Sequence, residues 1–346
     1  MPLPKSDTLL KKLEKTRNSK LISYITSNRQ PGNLFPTRVA QDIIPLLYEH
    51  LKSICNGTKK ISKISLFLNT LGGDLNAPWP IVNLLREFCE QFEVIIPRDA
   101  KSAGTLMCLG ANRIVMSPIS QLSPVDPEGV FQRDGKKQRI EVEDVLGFVD
   151  FAKERIGLNE QESLSEALKL LCNEVNPTIV GSVNRTLSLI RRLSENLLKL
   201  HLTDISSQAQ IEQIVGHLTQ KLFSHNHSIG RDEAKNLLGF KDIIEYADDG
   251  VWEVSDLLIA EYHDFLNENK PFNPQDHLTE NGEGTFEASR AILETTNHGH
   301  VYEATYNVIK DQNQGIKINV VSQGWKKYER RKENDTNSSK QRRKNH

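Results

Sequence analysis

The chain has 346 residues, of which 37% are hydrophobic and 26% are charged, and its formal net charge at pH 7 is -1. This length exceeds one typical domain and predicts a main domain with an additional segment. The near-zero charge excludes a general attraction to nucleic acid or acidic lipid, so any electrostatic partner has to meet a local patch.

The cysteines and the hydropathy pattern indicate the cellular compartment of the protein. Four cysteines are widely spaced without a CxxC pair, and three of them lie in apolar runs. This usage indicates buried thiols in a reducing compartment. The N-terminal sequence lacks an apolar core of signal-peptide length, and no uncharged apolar window of about 18 residues occurs. We therefore expect a cytoplasmic protein without a membrane span.

The first sixty residues predict a helical N-terminal segment. Residues 3–28 alternate lysines with leucines and isoleucines, which is typical of an amphipathic helix. Residues 31–36 contain two prolines and predict a linker. Residues 37–55 predict a second amphipathic helix with a kink at Pro45.

Residues 61–127 contain the clearest pattern in the chain. Three short apolar runs rich in β-branched residues predict strands at 64–68, 94–96 and 114–116. Between them, residues 77–92 and 102–111 predict an amphipathic helix and a short buried helix. This alternation predicts an α/β fold, with a parallel sheet and helices on both of its faces.

Two loops follow the first two predicted strands, where the chemistry of parallel sheets gathers. The first contains Gly72 and Gly73, whose amides no side chain covers. The second delivers Ser102 to the start of a helix, where unpaired N–H groups and a positive dipole end stabilise a developing anion. The amides of Gly73 and Ala103 are candidates for a two-donor oxyanion hole. The structural alternative is that Ser102 only caps the helix and the glycines only form a tight turn.

The LGGD loop, the later SAG helix start, a strand and a proline-rich turn together resemble the superfamily of the Clp protease proteolytic subunit and signal peptide peptidase A. Within it, the pattern resembles the serine dehydrogenase proteinase family, strongly over about residues 60–130 and moderately to about 240. The resemblance implies a ClpP/crotonase-like domain over residues 61–250 that cleaves peptide bonds through an acyl-enzyme on Ser102. It also implies a homo-oligomer acting on a peptide or protein substrate.

The same resemblance implies two layouts for the base that a serine nucleophile requires. The histidine of the Clp subunit has no counterpart in residues 117–121. The serine dehydrogenase proteinase pattern matches Ser102, Asp126 and His225, with His225 relaying the proton and Asp126 fixing its tautomer. The Ser-Lys dyad of signal peptide peptidase A matches Lys153. Both layouts stay open, as does a site without a base.

The central third of the chain predicts a charged turn and a helical extension. Residues 131–137 are charged and turn-rich, and 142–156, 158–171 and 177–202 predict helices. The near-heptad spacing of apolar residues in the last helix favours a role in an oligomer interface.

The C-terminal third predicts a helix and strands. Residues 289–294, 301–310 and 316–323 read as strands of a small β appendage, within a C-terminal α+β segment over 251–325, or of a hairpin docked on the main body. Residues 326–346 predict a disordered basic tail that contributes at most weak nucleic-acid contact.

Other chemistries find little support in the sequence. The pairs His225-x-His227 and His298-x-His300 lack a carboxylate or cysteine at metal-binding spacing, so we expect no metal. A P-loop and a dinucleotide fingerprint are both absent, and we expect no cofactor. The competing functions are acyl-coenzyme A chemistry on a crotonase-like scaffold, and a catalytically inactive scaffold or binding protein acting through its helical and C-terminal regions.

Overall fold

The computed structural model describes residues 4–32, 34–35, 37–125, 128–133, 136–141, 147–148, 151–158, 160–221, 227–311 and 315–329. The predicted residues Asp126 and His225 therefore lie outside the described part of the chain, as do residues 330–346.

The α-helices surround a large sheet. Their bounds are α1 Asp7–Arg17, α2 Ile44–Cys55, α3 Pro78–Glu87, α4 Ala103–Leu109, α5 Gln161–Glu174, α6 Pro177–Lys199, α7 Gln208–Gly216, α8 Arg231–Asn236 and α9 Asp249–Phe265. Short 3-10 turns cover Gln41–Ile43, Ile205–Ser207 and Pro274–His277, and π-helical turns cover Phe151–Arg155 and His217–Lys221.

Thirteen strands are formed by the described residues: β1 Lys20–Thr26, β2 Ile61–Asn69, β3 Cys89–Ile96, β4 Asp99–Ala100, β5 Arg113–Met116, β6 Gln121–Leu122, β7 Glu128–Arg133, β8 Lys136–Glu141, β9 Ile229–Gly230, β10 Ile244–Tyr246, β11 Glu283–Glu294, β12 His298–Asp311 and β13 Gly315–Glu329. The main sheet has eight strands in the order β10-β5-β3-β2-β1-β11-β12-β13. A small sheet joins β4, β6 and β9, and β7 and β8 form a separate hairpin.

The first five strands of the main sheet are parallel, and helices cover both of its faces. Alternate residues of β2 show this arrangement, because Leu66 packs in the cluster with α2, α3 and α4 whereas Phe67 packs in the cluster with α1 and α9. The register pairs Leu66 with Val94 of β3 and with Ile22 of β1. The predicted α/β architecture with a parallel sheet is confirmed.

The N-terminal segment differs from its prediction. The expected helix over residues 3–28 ends at Arg17, where Asn18 adopts a left-handed conformation with φ 46°. Residues Lys20–Thr26 form β1, a strand in the middle of the main sheet. The apolar residues of this stretch satisfy helical spacing, but β1 is buried on both faces and therefore carries no polar alternation.

Two further helix predictions need correction. Pro45 lies in the first turn of α2, where its missing N–H needs no partner, so it starts the helix rather than kinking it. The helix expected over residues 77–92 ends at Glu87, and β3 already begins at Cys89. The short buried helix is confirmed as α4, whose residues are all buried.

The C-terminal strands are confirmed, and they continue the main sheet. β11 pairs antiparallel with β1, and β12 and β13 follow it in antiparallel order. Residues 326–329, expected in a disordered tail, belong to β13. Of the charged segment 131–137, residues 131–133 belong to β7 and residues 136–137 belong to β8.

None of the described helices combines the length and the apolar content that crossing a bilayer requires. Three of the four cysteines, Cys55, Cys89 and Cys108, are buried as free thiols, as their apolar surroundings predicted.

Candidate active site

Ser102 stands at the turn between β4 and α4, with φ 49° and ψ -113°. Few residues other than glycine adopt a positive φ, and such strain gathers at functional sites. Its hydroxyl makes no capping hydrogen bond to the helix, although the residue occupies the N-cap position. The capping role that is the ordinary explanation of a serine here is therefore not observed.

A network of hydroxyl groups fixes this turn. The N–H of Ser102 donates to Oγ of Ser123 at 2.8 Å. Oγ1 of Thr105 donates to the carbonyl of Ala100 at 2.8 Å and accepts from the N–H of Ser123 at 3.1 Å. Thr105 and Ser123 are buried, so these bonds act where water does not compete.

Gly72 packs directly against the serine. It has φ 108°, and a Cβ at this position would lie 2.8 Å from Cβ of Ser102 and 2.9 Å from the carbonyl oxygen of Lys101. Thr70 anchors the same loop, since its N–H donates to Asp99 at 2.8 Å and its carbonyl accepts from Lys101 at 3.0 Å. The loop and the serine turn therefore form one rigid unit.

Gly73 is held by a short parallel bridge to Val39. Val39 donates its N–H to the carbonyl of Gly72 at 2.9 Å and accepts from the N–H of Asp74 at 2.8 Å. In this pattern the N–H of Gly73 points away from Val39. A Cβ on Gly73 would lie 2.2 Å from the carbonyl oxygen of Val39, so only glycine allows the two backbones to approach this closely.

Donors and charges around Ser102 suit an anion. Ala103 is the first residue of α4, so its N–H has no acceptor within the helix, and the positive end of the helix dipole lies beside it. Lys101, next to the serine, has its ammonium 3.2 Å from the carboxylate of Asp99.

The residue before Asp126 and the strand after His225 are both described. Val125, which precedes Asp126, donates its N–H to the carbonyl of Leu218 at 2.9 Å. Strand β9, which begins four residues after His225, pairs with β6, and β6 pairs with β4 immediately before Ser102. Both flanking segments therefore lie in the small sheet or its surroundings.

Lys153 lies in the π-helical turn Phe151–Arg155 and is exposed. His227 is half-buried, and its Nε2 is 2.8 Å from Oε1 of Glu233. The described contacts thus give His227 a carboxylate partner outside the serine turn.

Sequence reasoning did not identify Ser123 and Val39 as parts of this site. Ser123 precedes Asp126 in the proline-rich turn, so its position in that motif was an available signal. Val39 follows the N-terminal linker and carries no motif, because its contribution is a backbone bridge that any side chain permits.

Comparison with known proteins shows what the sequence around this site is similar to. Residues 3–133 match the family model described as ClpP-like SDH-type serine proteinase. This segment of the chain is similar to that family. The match contains Gly72, Gly73 and Ser102, and the resemblance predicted from their loops is confirmed.

One curated relative aligns with about a third of the chain. The uncharacterized protein MJ0137 of Methanocaldococcus jannaschii is 32% identical over 120 residues, which are 35% of this chain and 42% of the relative. The chain therefore spans less than half the length of this relative.

Two solved structures match the chain at low sequence identity. A mutant of the membrane-bound stomatin-specific protease 1510-N in complex with a substrate peptide is 15% identical, with a TM-score of 0.36, covering 60% of this chain and 71% of that one. A second mutant of the same protease is 14% identical, with a TM-score of 0.38, covering 63% and 79%.

Proposed function

We propose that the protein is a serine-type peptidase that cleaves peptide bonds through an acyl-enzyme on Ser102. One observation carries the proposal: Ser102 holds a strained conformation at a helix start while its hydroxyl makes no capping bond. A serine that only capped the helix would use its oxygen, and it would not need a positive φ. The family match over residues 3–133 supports the same reaction class.

The oxyanion hole would be formed by the amides of Gly73 and Ala103, which would donate hydrogen bonds to the substrate oxygen. During attack on a carbonyl, the oxygen gains negative charge, and two preorganised N–H donors stabilise it without reorganisation. The bridge to Val39 directs the Gly73 amide away from the neighbouring segment, and α4 directs the Ala103 amide out of its first turn.

For the base we favour His225, oriented by Asp126, over Lys153. A lysine is neutral near pH 7 only when burial lowers its pKa, and Lys153 is exposed. A histidine needs no such burial, because its ordinary pKa is already near neutrality. The small sheet supports this choice, because β9 begins four residues after His225 and pairs with β6, the neighbour of β4.

Activity-based labelling with a fluorophosphonate tests the proposal. We expect the wild-type protein to be labelled, Ser102→Ala to lose labelling, and His225→Ala to lose it while Lys153→Ala retains it. The matched control is Ser188→Ala, because Ser188 is exposed on α6 and its hydroxyl binds only within the helix, to the carbonyl of Asn184. Labelling that persists in Ser102→Ala, or its complete absence in the folded wild type, would contradict the proposal and favour the scaffold function.

We also propose that the protein assembles as a homo-oligomer through α5 and α6. Leu168 and Leu170 of α5 are 52% and 64% exposed, and Leu189 of α6 is 39% exposed. Light scattering should give a mass above that of one chain, and Leu170→Glu should lower it. Leu257→Glu is the control, because Leu257 is similarly exposed on α9. A monomeric wild-type mass would contradict this assembly.

A further inference from the structure

Three histidines from distant parts of the sequence meet in the interior. His50 comes from α2, and His298 and His300 come from β12. All three are buried, and one ring nitrogen of each lies within 4.8 Å of the others. Nε2 of His50 is 3.0 Å from Nδ1 of His300, and the rings of His50 and His298 stack at 4.1 Å.

The fold explains this meeting. His298 and His300 are two residues apart in a strand, so their side chains lie on the same face of the sheet. Helix α2 packs on that face next to the β11–β12 turn, where Asn297 donates to the hydroxyl of Ser53 at 2.8 Å. The sequence predicted only the His298-x-His300 pair without a third ligand. The third, His50, lies far away in the sequence and was therefore missed.

The hydrogen bonds of the cluster are incomplete. Nε2 of His298 is buried and makes no hydrogen bond with any described residue, although Oε1 of Glu49 lies 3.7 Å away. Burying a polar nitrogen without a partner costs free energy, so each such atom in a folded protein requires an explanation. A ligand between the three rings would supply the missing partner.

We propose that His50, His298 and His300 bind a divalent transition metal ion, for which Zn²⁺ is the best match. Three imidazoles are a known ligand set of zinc, and imidazole also suits the neighbouring transition metals. Tetrahedral zinc with Zn–N distances of about 2.0–2.1 Å holds its nitrogens about 3.3 Å apart. The observed spacing within 4.8 Å is close enough for side-chain rotations to reach this geometry.

The surroundings would orient these ligands. Oε2 of Glu49 lies 3.6 Å from Nε2 of His300, which is the place of the carboxylate that commonly holds a metal-binding histidine. Oγ1 of Thr295 lies 3.4 Å from Nδ1 of His50. The ammonium of Lys327 pairs with Glu49 at 2.6 Å and with Glu329 at 2.9 Å, so two carboxylates compensate its charge.

Metal binding by the full-length protein, purified without a polyhistidine tag, tests the proposal directly. After removal of metal with a chelator, we expect the protein to take up one Zn²⁺ per chain in competition with a chromophoric chelator. Co²⁺ should give the intense visible absorption of a four-coordinate site, and Zn²⁺ should displace it. A folded wild-type protein that takes up neither ion would overturn the proposal.

Variants locate the site independently of any activity. His298→Gln and His50→Gln should lose the cobalt spectrum, and Glu49→Gln should weaken Zn²⁺ binding by about 10–100-fold, as the loss of a carboxylate partner does. The control is His217→Gln, because His217 binds the carbonyl of Gln213 outside the cluster. Circular dichroism checks that each variant is folded. An unchanged spectrum in folded His298→Gln would overturn the assignment.

Discussion

The backbone of Ser102 stores strain that its neighbours maintain. Its φ and ψ of 49° and -113° cost a residue other than glycine on the order of 1–3 kcal/mol. The hydroxyl of Ser123 holds the N–H, and the backbone of Gly72 occupies the space beside the Cβ atom. Glycine would occupy this position without strain, so the serine hydroxyl is the feature that the position requires.

Gly72→Ala tests whether the loop and the serine turn act as one unit. An alanine would adopt φ 108°, and its Cβ would lie 2.8 Å from Cβ of Ser102. We expect the free energy of unfolding to fall by about 2–4 kcal/mol, since backbone strain and overpacking add. The rate of fluorophosphonate labelling of the folded variant should also fall, because Ser102 has to move. Urea denaturation and labelling measure the two effects.

Gly57→Ala is the matched control for this change. Gly57 also has a positive φ, of 89°, but no atom lies within 4 Å of a Cβ placed there. It therefore isolates the backbone strain, which we expect to cost about 1–2 kcal/mol. Equal labelling in the two alanine variants would show that contact between Gly72 and Ser102 does not position the serine.

At the scale of elements, the pattern of apolar residues determines which buried strands can be predicted from the sequence. Strands β2, β3 and β5 were predicted because each is a short, β-branched run bounded by turn residues. Strand β1 was assigned to a helix because its apolar residues also fit helical spacing. Asn18, which ends α1 in a left-handed conformation, is the stop signal that separates the two elements.

Some parts of the candidate active site come from contiguous motifs, and others come from residues that are distant in the sequence. The glycine loop and the serine turn were predicted because each is a contiguous motif next to a strand end. The bridge of Val39 to Gly73 depends on how the linker after β1 folds back onto the sheet. No periodicity encodes such a backbone contact, so only the assembled fold reveals it.

A buried ion network ties α1 to the sheet. Glu93 of β3 is 1% exposed and receives hydrogen bonds from Arg17 at the end of α1 and from Ser65. The ammonium of Lys63 lies 2.9 Å away, and Arg17 also pairs with Glu245 of β10 at 2.7 Å. Burial raises the pKa of Glu93, but the bonds and charges of Arg17 and Lys63 outweigh it and hold the pKa below its ordinary value of 4.5.

Glu93→Gln should therefore lower the free energy of unfolding at pH 7 by about 3 kcal/mol, because it leaves buried cations without their partner. A carboxyl whose pKa is lowered by folding stabilises the protein above its unfolded pKa and loses that effect as pH falls through the folded value. The difference between wild type and variant should thus be full above about pH 4.5 and shrink below it. Urea denaturation at several pH values measures it.

The matched control is Glu195→Gln, since Glu195 forms an exposed pair with Lys199 on α6 at 3.7 Å. Exposed pairs contribute about 0–1 kcal/mol, so this variant should differ little from wild type at any pH. A Glu93→Gln difference that stays constant down to the acid transition would contradict the assigned role of the carboxylate.

At the scale of the whole molecule, residues 20–55 contact strands β11 to β13. The sheet continues from β1 into β11, so the strands near the C-terminus pair with the strand near the N-terminus. Nε1 of Trp325 donates to the carboxylate of Asp42 at 2.8 Å, and the histidine cluster joins α2 to β12. These pairings span most of the chain, which is why a segment-by-segment reading of the sequence did not find them.

Ile292→Ala tests whether the C-terminal strands share the main core. Ile292 of β11 is fully buried in the cluster that also contains Leu21 of β1, Phe67 of β2 and Tyr262 of α9. Its truncation should cost about 2–5 kcal/mol through lost burial and a cavity. Because one core is affected, hydrogen exchange followed by mass spectrometry should show β2 and β12 losing protection together.

Val321→Ala on β13 is the control for this change, because Val321 is 63% exposed and its loss should change stability by no more than about 0.5 kcal/mol. The two halves of the sheet respond jointly only if the β1–β11 pairing makes them one cooperative unit. If Ile292→Ala accelerates exchange in β12 and leaves β2 unchanged, the C-terminal strands form a separate unit that docks on the parallel sheet without stabilising it. In that case the strain at Ser102 would have to be maintained by the parallel half of the molecule alone.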